Sequence, residues 1–337
     1  MQIYDLFFNT LNYRALNISN ITATTIITMP APITFTEISR LWLLDKQQYV
    51  RKSTIATYSY TITSRLIPAF GDMTSIREED VQKFANAKIS EGLSRKTVRD
   101  NLVILKMILW FASKQGLMPY QQMDIHLPTP REKAQLSVLS IDQQKRLIDY
   151  VKNHPDRESI GLQICLFCGL RIGEICALQW KDLDLENGLL SVNKTLQRIY
   201  VNGDDGENRT ELVIDAPKTK ESIREIPVPL NLCKLLQPFK DSAGDDCFVL
   251  SGKTTPVEPR VYRTYFKRLM KRLNLPDIRF HALRHSFATR CIDGNCDYKT
   301  VSVLLGHASI STTLNLYVHP NIEQKRRVVE SMSSALD

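Results

Sequence analysis

From Thr34 onward the apolar residues of this chain recur at spacings of three and four, the period of a helix with one buried face. Thr34-Phe35-Thr36-Glu37 has the Thr-x-x-Glu form of a capping box, with Thr36 as an alternative cap. Ile38, Leu41, Trp42, Leu44 and Tyr49 supply the apolar side of the helix it opens. A second helix is expected from Ser53, a candidate N-cap, to Leu66, with Ile55, Tyr58, Ile62 and Leu66 in step. Pro68 and then Gly71-Asp72 are expected to end it. Ser75 to Glu91 predicts a third helix. Ser94 opens a fourth that turns Val98, Leu102, Leu105, Ile108 and Leu109 inward.

Pro128, Pro130 and the mixed charges of Arg131-Glu132-Lys133 mark residues 121–138 as a linker. Beyond it, Ser140-x-x-Gln143 repeats the capping-box pattern ahead of Leu147 and Tyr150. The apolar run from Ile160 to Leu170 predicts a buried helix that turns at Gly169. After Trp180 the texture becomes alternating and β-branched: Leu189–Val192, Gln197–Val201, Glu211–Asp215 and Ile223–Val228 read as strands. Residues 216–222 are expected as the tip of a hairpin joining the last two. Helical spacing then returns over Leu232–Leu236, Pro259–Leu273, a stretch from His281, Thr300–Leu305, a run ending near Tyr317, and an amphipathic segment at 321–333.

The pattern predicts a mainly α chain with a small antiparallel β-sheet. A helical unit at 34–120 precedes a mixed α+β unit at 139–337. For residues 1–33 an ordered extension, a disordered tail and a start at Met29 all stay open.

Composition changes this picture little. A length of 337 residues suggests two domains or three, since single cores rarely grow past about 250–300 residues. The chain is 43% hydrophobic and 24% charged, enough apolar material for sizeable cores. Its net charge of +8 favours a polyanionic partner, although ribosomal proteins, membrane-surface proteins and many plain enzymes are equally basic. No apolar run reaches the roughly 18–20 residues of a membrane span, and residues 1–30 lack the positive start and compact apolar centre of a signal peptide. Cys165-x-x-Cys168 has no second pair to complete a zinc site. The seven cysteines are expected as reduced thiols of a cytosolic protein.

The chemistry concentrates between Phe280 and His319, which hold four of the six histidines. Phe280, Leu283 and Phe287 form a buried stripe, while His281 and Arg284 share another face and can reach one object together. A cation beside a titratable imidazole grips an anion, a phosphate above all, and can move a proton near it. A packed or capping histidine is the ordinary alternative. His281 and His285 have the spacing of a zinc helix, but Ala282 stands where a metalloprotease needs its glutamate, so no metal is expected. Leu305-Gly306-His307 reads as a helix ending in a glycine turn that presents a histidine, and Tyr317 follows ten residues later.

These elements resemble the C-terminal signature of the tyrosine recombinases, the phage-integrase family: His281-x-x-Arg284, Leu305-Gly306-His307, and Tyr317 after Thr312-Thr313-Leu314-Asn315-Leu316. The family's upstream arginine in a Gly-Leu-Arg-x-Gly-Glu turn is matched by Gly169-Leu170-Arg171-Ile172-Gly173-Glu174, and its hairpin lysine by Ala216-Pro217-Lys218-Thr219-Lys220. Glu174 could orient the Arg171 guanidinium or be an ordinary surface carboxylate.

The resemblance implies a helical core-binding domain at 34–120 that clamps DNA, with Arg95, Lys96 and Arg99 as DNA-binding candidates. A catalytic domain of the tyrosine-recombinase type would fill 139–337. It implies a site-specific DNA recombinase, an integrase of a phage or other mobile element. Such an enzyme cuts and rejoins double-stranded recombination sites through a 3′-phosphotyrosine, without ATP, metal or other cofactor. Tyr317 would be the nucleophile, Arg171 and Arg284 the phosphate donors, His281 the base, His307 a further donor, and Lys218 the acid, with Lys220 as competitor. A homotetramer on paired sites, accessory DNA-bending proteins and a bacterial cytoplasmic location without membrane attachment follow from the same resemblance. A type IB topoisomerase and a non-enzymatic DNA-binding module are the rivals.

Overall fold

The computed structural model describes residues 32–129, 138–202, 208–217 and 219–317, with isolated positions nearer the C-terminus. The expected N-terminal extension and, apart from those isolated positions, the segment at 321–333 lie outside the described residues.

Four helical stretches build the first core: α1 (Phe35–Lys46), α2 (Lys52–Thr61) with its continuation, α4 (Glu78–Ser90) and α5 (Arg95–Lys114). The capping box of α1 is present: Glu37 takes the Thr34 backbone N–H at 2.8 Å while its own N–H reaches Thr34 Oγ1 at 3.4 Å. Phe35, Ile38 and Trp42 are buried, whereas Leu44 and Tyr49 are exposed, so the inward stripe of α1 is narrower than its apolar content. The α2 rod does not end before Pro68. It widens into a π turn over Ile62–Leu66 and resumes as α3 (Ile67–Phe70) up to Gly71. A proline lacks the N–H and clashes with the carbonyl four residues back, and the wider turn relieves that clash. The hydroxyls of Thr63 and Ser64 donate to the carbonyls of Ser59 and Tyr60 in this turn. The next helix starts at Glu78 rather than Ser75, because Asp80 accepts the Arg77 backbone N–H at 3.0 Å.

Phe70 is the hub of this core, edge-on to Phe35 at 5.9 Å and tilted against Phe84 at 5.1 Å. The first part of the expected linker lies along α4. Asp124 N–H donates to Glu78 and Gln82 brackets His126, donating to its carbonyl and accepting its N–H.

The second core surrounds α7 (Arg157–Cys168), whose residues from Ser159 to Leu166 are all buried. Around it pack α6 (Ile141–Asn153), α9 (Leu230–Asp241), α10 (Pro259–Arg272) and α11 (Ala282–Asp293). Short α8 (Ile172–Ala177) follows the Gly169 turn, and α12 (Tyr298–Leu305) and α13 (Ile310–Tyr317) close the described chain.

Two antiparallel sheets complete the unit. β1 (Leu183–Asp184), β2 (Leu189–Val192) and β5 (Arg224–Pro227) form one, in the order β1-β2-β5; β3 (Thr195–Asn202) and β4 (Asn208–Asp215) form the other. The hairpin here is therefore β3–β4. Residues 216–222 cross between two sheets and are not a hairpin tip, because β4 is committed to β3 along its length while β5 pairs with β2. Between the two units, Tyr60 meets Tyr200 edge-on at 5.5 Å, and Arg51 Nη1 donates to the carbonyls of Ala216 and Pro217 at 2.8 and 2.9 Å.

Candidate active site

α12 organises the site by the way it ends. The last carbonyls of any helix lack partners within it. At this end Gly306 turns left-handed (φ 60°), and three arginines from three different elements satisfy three consecutive carbonyls. Arg224 Nε donates to Leu304 O at 2.7 Å, Arg284 Nη2 to Leu305 O, and Arg171 Nη2 to Gly306 O at 3.0 Å. Cations also suit the negative end of the helix dipole.

Each arginine has a second anchor. Arg171 stands at the start of α8, and Glu174 takes both its backbone N–H (2.9 Å) and its Nη1 (2.7 Å). Arg284, only 1% exposed, donates through Nη1 to the carbonyl of Gly169 at 2.9 Å, tying the turn before Arg171 to the turn before His307. Gly169 must be small there, since an added Cβ would lie 2.6 Å from the Phe287 ring. Arg171 keeps 35% of its side chain exposed, unlike the buried Arg224 and Arg284.

Glu174 is 4% exposed, far from an ordinary surface carboxylate. Burial pushes its pKa up, but hydrogen bonds and charge from Arg224, then from Arg171, outweigh that and hold it below the usual carboxylate range.

One histidine follows the Gly306 turn and two belong to α11. His307 follows Gly306 and its Nδ1 pairs with Thr313 Oγ1 at 2.9 Å on α13. His281 caps α11, its ring perpendicular to that of His285 at 4.6 Å. Burial, and then the surrounding charges with Arg284 prominent among them, lowers His281, His285 and His307 to about 4 each. All three are neutral imidazoles at neutral pH. The charges of Arg284 and Arg171, which stand on the neighbouring carbonyls of Leu305 and Gly306, add to the lowering of His281 and His307.

Tyr317 is the last residue of α13, one turn beyond Thr313. Lys218 lies outside the described residues; its neighbours Ala216 and Pro217 are the carbonyls that Arg51 holds, and Lys220 is exposed in a short 3₁₀ turn (Lys220–Ser222). Arg95, Lys96 and Arg99 sit apart from this centre, in the first turns of α5, with Lys96 and Arg99 exposed and Arg95 half-buried. No group of three or more histidine, cysteine or acidic side chains suited to a metal occurs among the described residues.

Arg224 was not visible as a site residue from sequence, yet a signal existed. Arg224 and Ile226 fall on one face of β5, and an apolar Ile226 turned inward requires Arg224 to be inward too. A buried arginine then demands a carboxylate.

Arginines fixed by carbonyls beside neutral imidazoles suit the binding of a phosphate diester, the group that DNA strand transferases handle. A family model described as "Phage integrase family" matches residues 137–324, more than half the chain, and one described as "Phage integrase, N-terminal SAM-like domain" matches 34–89. The chain belongs to the phage integrase family, the tyrosine recombinases, and is a DNA strand-transferring enzyme of site-specific recombination.

Among its relatives, a "Tyrosine recombinase XerC-like" protein of Caldanaerobacter subterraneus subsp. tengcongensis is 28% identical over 330 residues, 89% of this chain and 83% of its own. The ICEBs1 integrase of Bacillus subtilis is 25% identical, covering 79% of this chain and 73% of its own. The Tn1549 transposon integrase, solved in complex with transposon right end DNA, superposes with a TM-score of 0.72 at 25% identity over 89% of this chain and all of that one. A lambda integrase dimer bound to a core site shares the fold at a TM-score of 0.62 and 17% identity, over 85% of this chain and 95% of that one.

Proposed function

We propose that this recombinase serves a mobile element, cleaving double-stranded DNA with Tyr317 as the nucleophile. The observation that carries the reading is the set of three arginines on the carbonyls of Leu304, Leu305 and Gly306, the turn that His307 follows. In the reaction, the phenol oxygen of Tyr317 bonds to phosphorus, the bond from phosphorus to the 5′-oxygen breaks, and a 3′-phosphotyrosyl link remains. The 5′-oxygen of a partner strand reverses the step, one phosphoester replacing another, so rejoining uses no ATP.

A phenol of pKa about 10 needs a proton acceptor near neutral pH. His281, neutral down to about 4 in the free protein, is available as that base. Arg171 stabilises the charge that builds on the nonbridging oxygens, and His307 donates beside it once it carries a proton on the nitrogen facing the phosphate. Arg284 holds the two turns in register and adds its charge. Lys218, reached through the crossover after β4, protonates the leaving 5′-oxygen, with Lys220 as the competing lysine. Arg95, Lys96 and Arg99 meet DNA phosphates at the start of α5, where backbone N–H groups add to side-chain charge. Assembly is a homotetramer on paired sites in the bacterial cytoplasm, with DNA-bending proteins as accessory partners. No helix among the described residues is long and apolar enough to cross a membrane.

The test is to incubate the protein with a nicked duplex carrying its site and to denature the mixture. A covalent protein–DNA adduct is expected, and Tyr317→Phe should not form it. Absence of any adduct from the parent protein favours a DNA-binding module, and relaxation of a plasmid lacking a site favours a topoisomerase.

A further inference from the structure

We propose that Arg224 is a positioning residue for strand cleavage, setting Arg171 and the Leu305-Gly306-His307 turn in one arrangement. The inference rests on the reading of Arg171 and His307 given above. Arg224 is 7% exposed on the inward face of β5 and is paired with the buried Glu174. Its planar fork reaches three groups through four hydrogen bonds. Nε donates to Leu304 O at 2.7 Å, Nη1 to Ser222 O at 3.0 Å and Glu174 Oε1 at 3.2 Å, and Nη2 to Glu174 Oε2 at 3.0 Å. Glu174 Oε1 also receives Arg171 Nη1, so one carboxylate sets both guanidiniums.

Through these bonds Arg224 joins the end of α12, the orienting group of Arg171, and the end of the crossover at Ser222. A lysine has a single nitrogen and no fixed fork, and cannot hold a carboxylate and two carbonyls from different elements.

A buried ion pair need not stabilise a fold, since apolar replacements often do as well. Positioning differs from packing in what it predicts for pH. The groups facing Glu174 are Arg171, Arg224, the neutral Cys165 thiol and the His281 imidazole, and on the strand side Asp182 with its partner Lys194 at 2.8 Å. Without Arg224, Glu174 stays buried with Arg171 as its remaining ion-pair partner and holds a proton to higher pH. Once protonated it no longer anchors Arg171 as a carboxylate, and cleavage falls.

The experiment measures single-turnover adduct formation on a nicked site duplex across about pH 5.5–9. The full chain and its Arg224→Met, Arg224→Lys, Glu174→Gln and Arg224→Met/Glu174→Gln forms are compared, with duplex affinity and melting temperature recorded for each. Arg224→Met should bind duplex within about threefold of the parent and cleave about 10²–10³-fold more slowly. The acid limb of its rate should move to higher pH, and Arg224→Lys should not restore the rate. Adding Glu174→Gln should remove the shifted limb without recovering the rate.

Cleavage by folded Arg224→Met within about fivefold of the parent at every pH overturns the proposal, and so does a rate loss with the acid limb unmoved. Should Arg224→Met not fold, the double variant decides, because it buries no unpaired charge. A rate about tenfold below Glu174→Gln alone supports positioning, and an equal rate overturns it. An adduct that persists in Tyr317→Phe would refute the nucleophile assignment and leave the Arg224 rate comparison readable.

Discussion

Replacing Gly306 by alanine tests whether the end of α12 aligns the site. The left-handed conformation at this residue (φ 60°) costs an L-residue about 1–2 kcal/mol. An added Cβ would also lie 3.0 Å from the carbonyl oxygen of Glu221 and 3.1 Å from both Cδ and Nη1 of Arg224. None of these is the free end of a flexible chain, since Arg224 is pinned by four hydrogen bonds to three groups. Overpacking against such a fixed neighbour adds roughly 1–3 kcal/mol, so the sum is about 2–5 kcal/mol.

Gly116 is the internal control. It has nearly the same backbone (φ 66°) and nothing within 4 Å of an added Cβ, so Gly116→Ala should cost the strain alone, about 1–2 kcal/mol. By thermal unfolding, Gly306→Ala should melt about 5–15 °C below the parent and clearly below Gly116→Ala. Cleavage should fall as well, because the Gly306 carbonyl holds Arg171 at 3.0 Å. A displacement of about 1 Å there can cost on the order of 10²-fold in rate, measured on nicked duplex at a temperature where the variant is folded. A Gly306→Ala protein no less stable than Gly116→Ala, or cleaving within a few-fold of the parent, would show that the helix end does not set the arginines.

Lowering the pH should uncouple the histidines from folding. Their folded-state values, lowered from 6.5 to about 4, mean that this contribution is whole above the unfolded value and lost as pH falls through that window. Imidazole NMR signals of His281, His285 and His307 that titrate above about pH 6 in the DNA-free protein would contradict the burial argument. The thiols of Cys165 and Cys168, which burial raises (Cys168 to about 12), should resist alkylation in the folded protein while the partly exposed Cys247, Cys291 and Cys296 react first. Arg51→Ala should leave both cores intact and speed amide hydrogen exchange over residues 219–223, since Arg51 Nη1 holds the carbonyls of Ala216 and Pro217 just before them. Unchanged exchange there would mean that the contact between the two units does not steady the crossover.

Local signals in the chain were legible where one physical rule decided the outcome. The capping boxes at Thr34 and Ser140, the N-cap at Ser94, the turn at Gly169 and the helix end at Gly306 each follow from a few residues. The second helix was read too short because Pro68 normally stops a helix, whereas a π turn one step upstream lets this one continue. The segment 216–222 was read as a hairpin tip because pairing partners are a non-local property, and β5 chose β2 over its sequence neighbour. Arg171, His281, Arg284 and His307 carried the family's spacing. Arg224 and the burial of Glu174 did not stand out, since either residue alone looks like a solvated charge until the sheet register turns Arg224 inward.

The way these arginines are anchored bears on how the site works. Carboxylates are the usual partners of buried guanidiniums, and they orient by cancelling charge. Here the fixed points are mostly carbonyls, at Leu304, Leu305, Gly306, Gly169 and Ser222, with Glu174 as the carboxylate shared by Arg171 and Arg224. A carbonyl orients a guanidinium and leaves its charge intact. Three guanidiniums, one carboxylate and three neutral imidazoles leave the cluster two positive charges in excess. A phosphodiester brings one negative charge, and attack by a phenolate oxygen puts a second on the phosphorus centre. In the reaction proposed above, that excess would match the transition state better than the bound ground state, which is what preorganised electrostatics must do to raise a rate. A carboxylate at any of the carbonyl positions would align its arginine equally well and remove the charge the alignment serves.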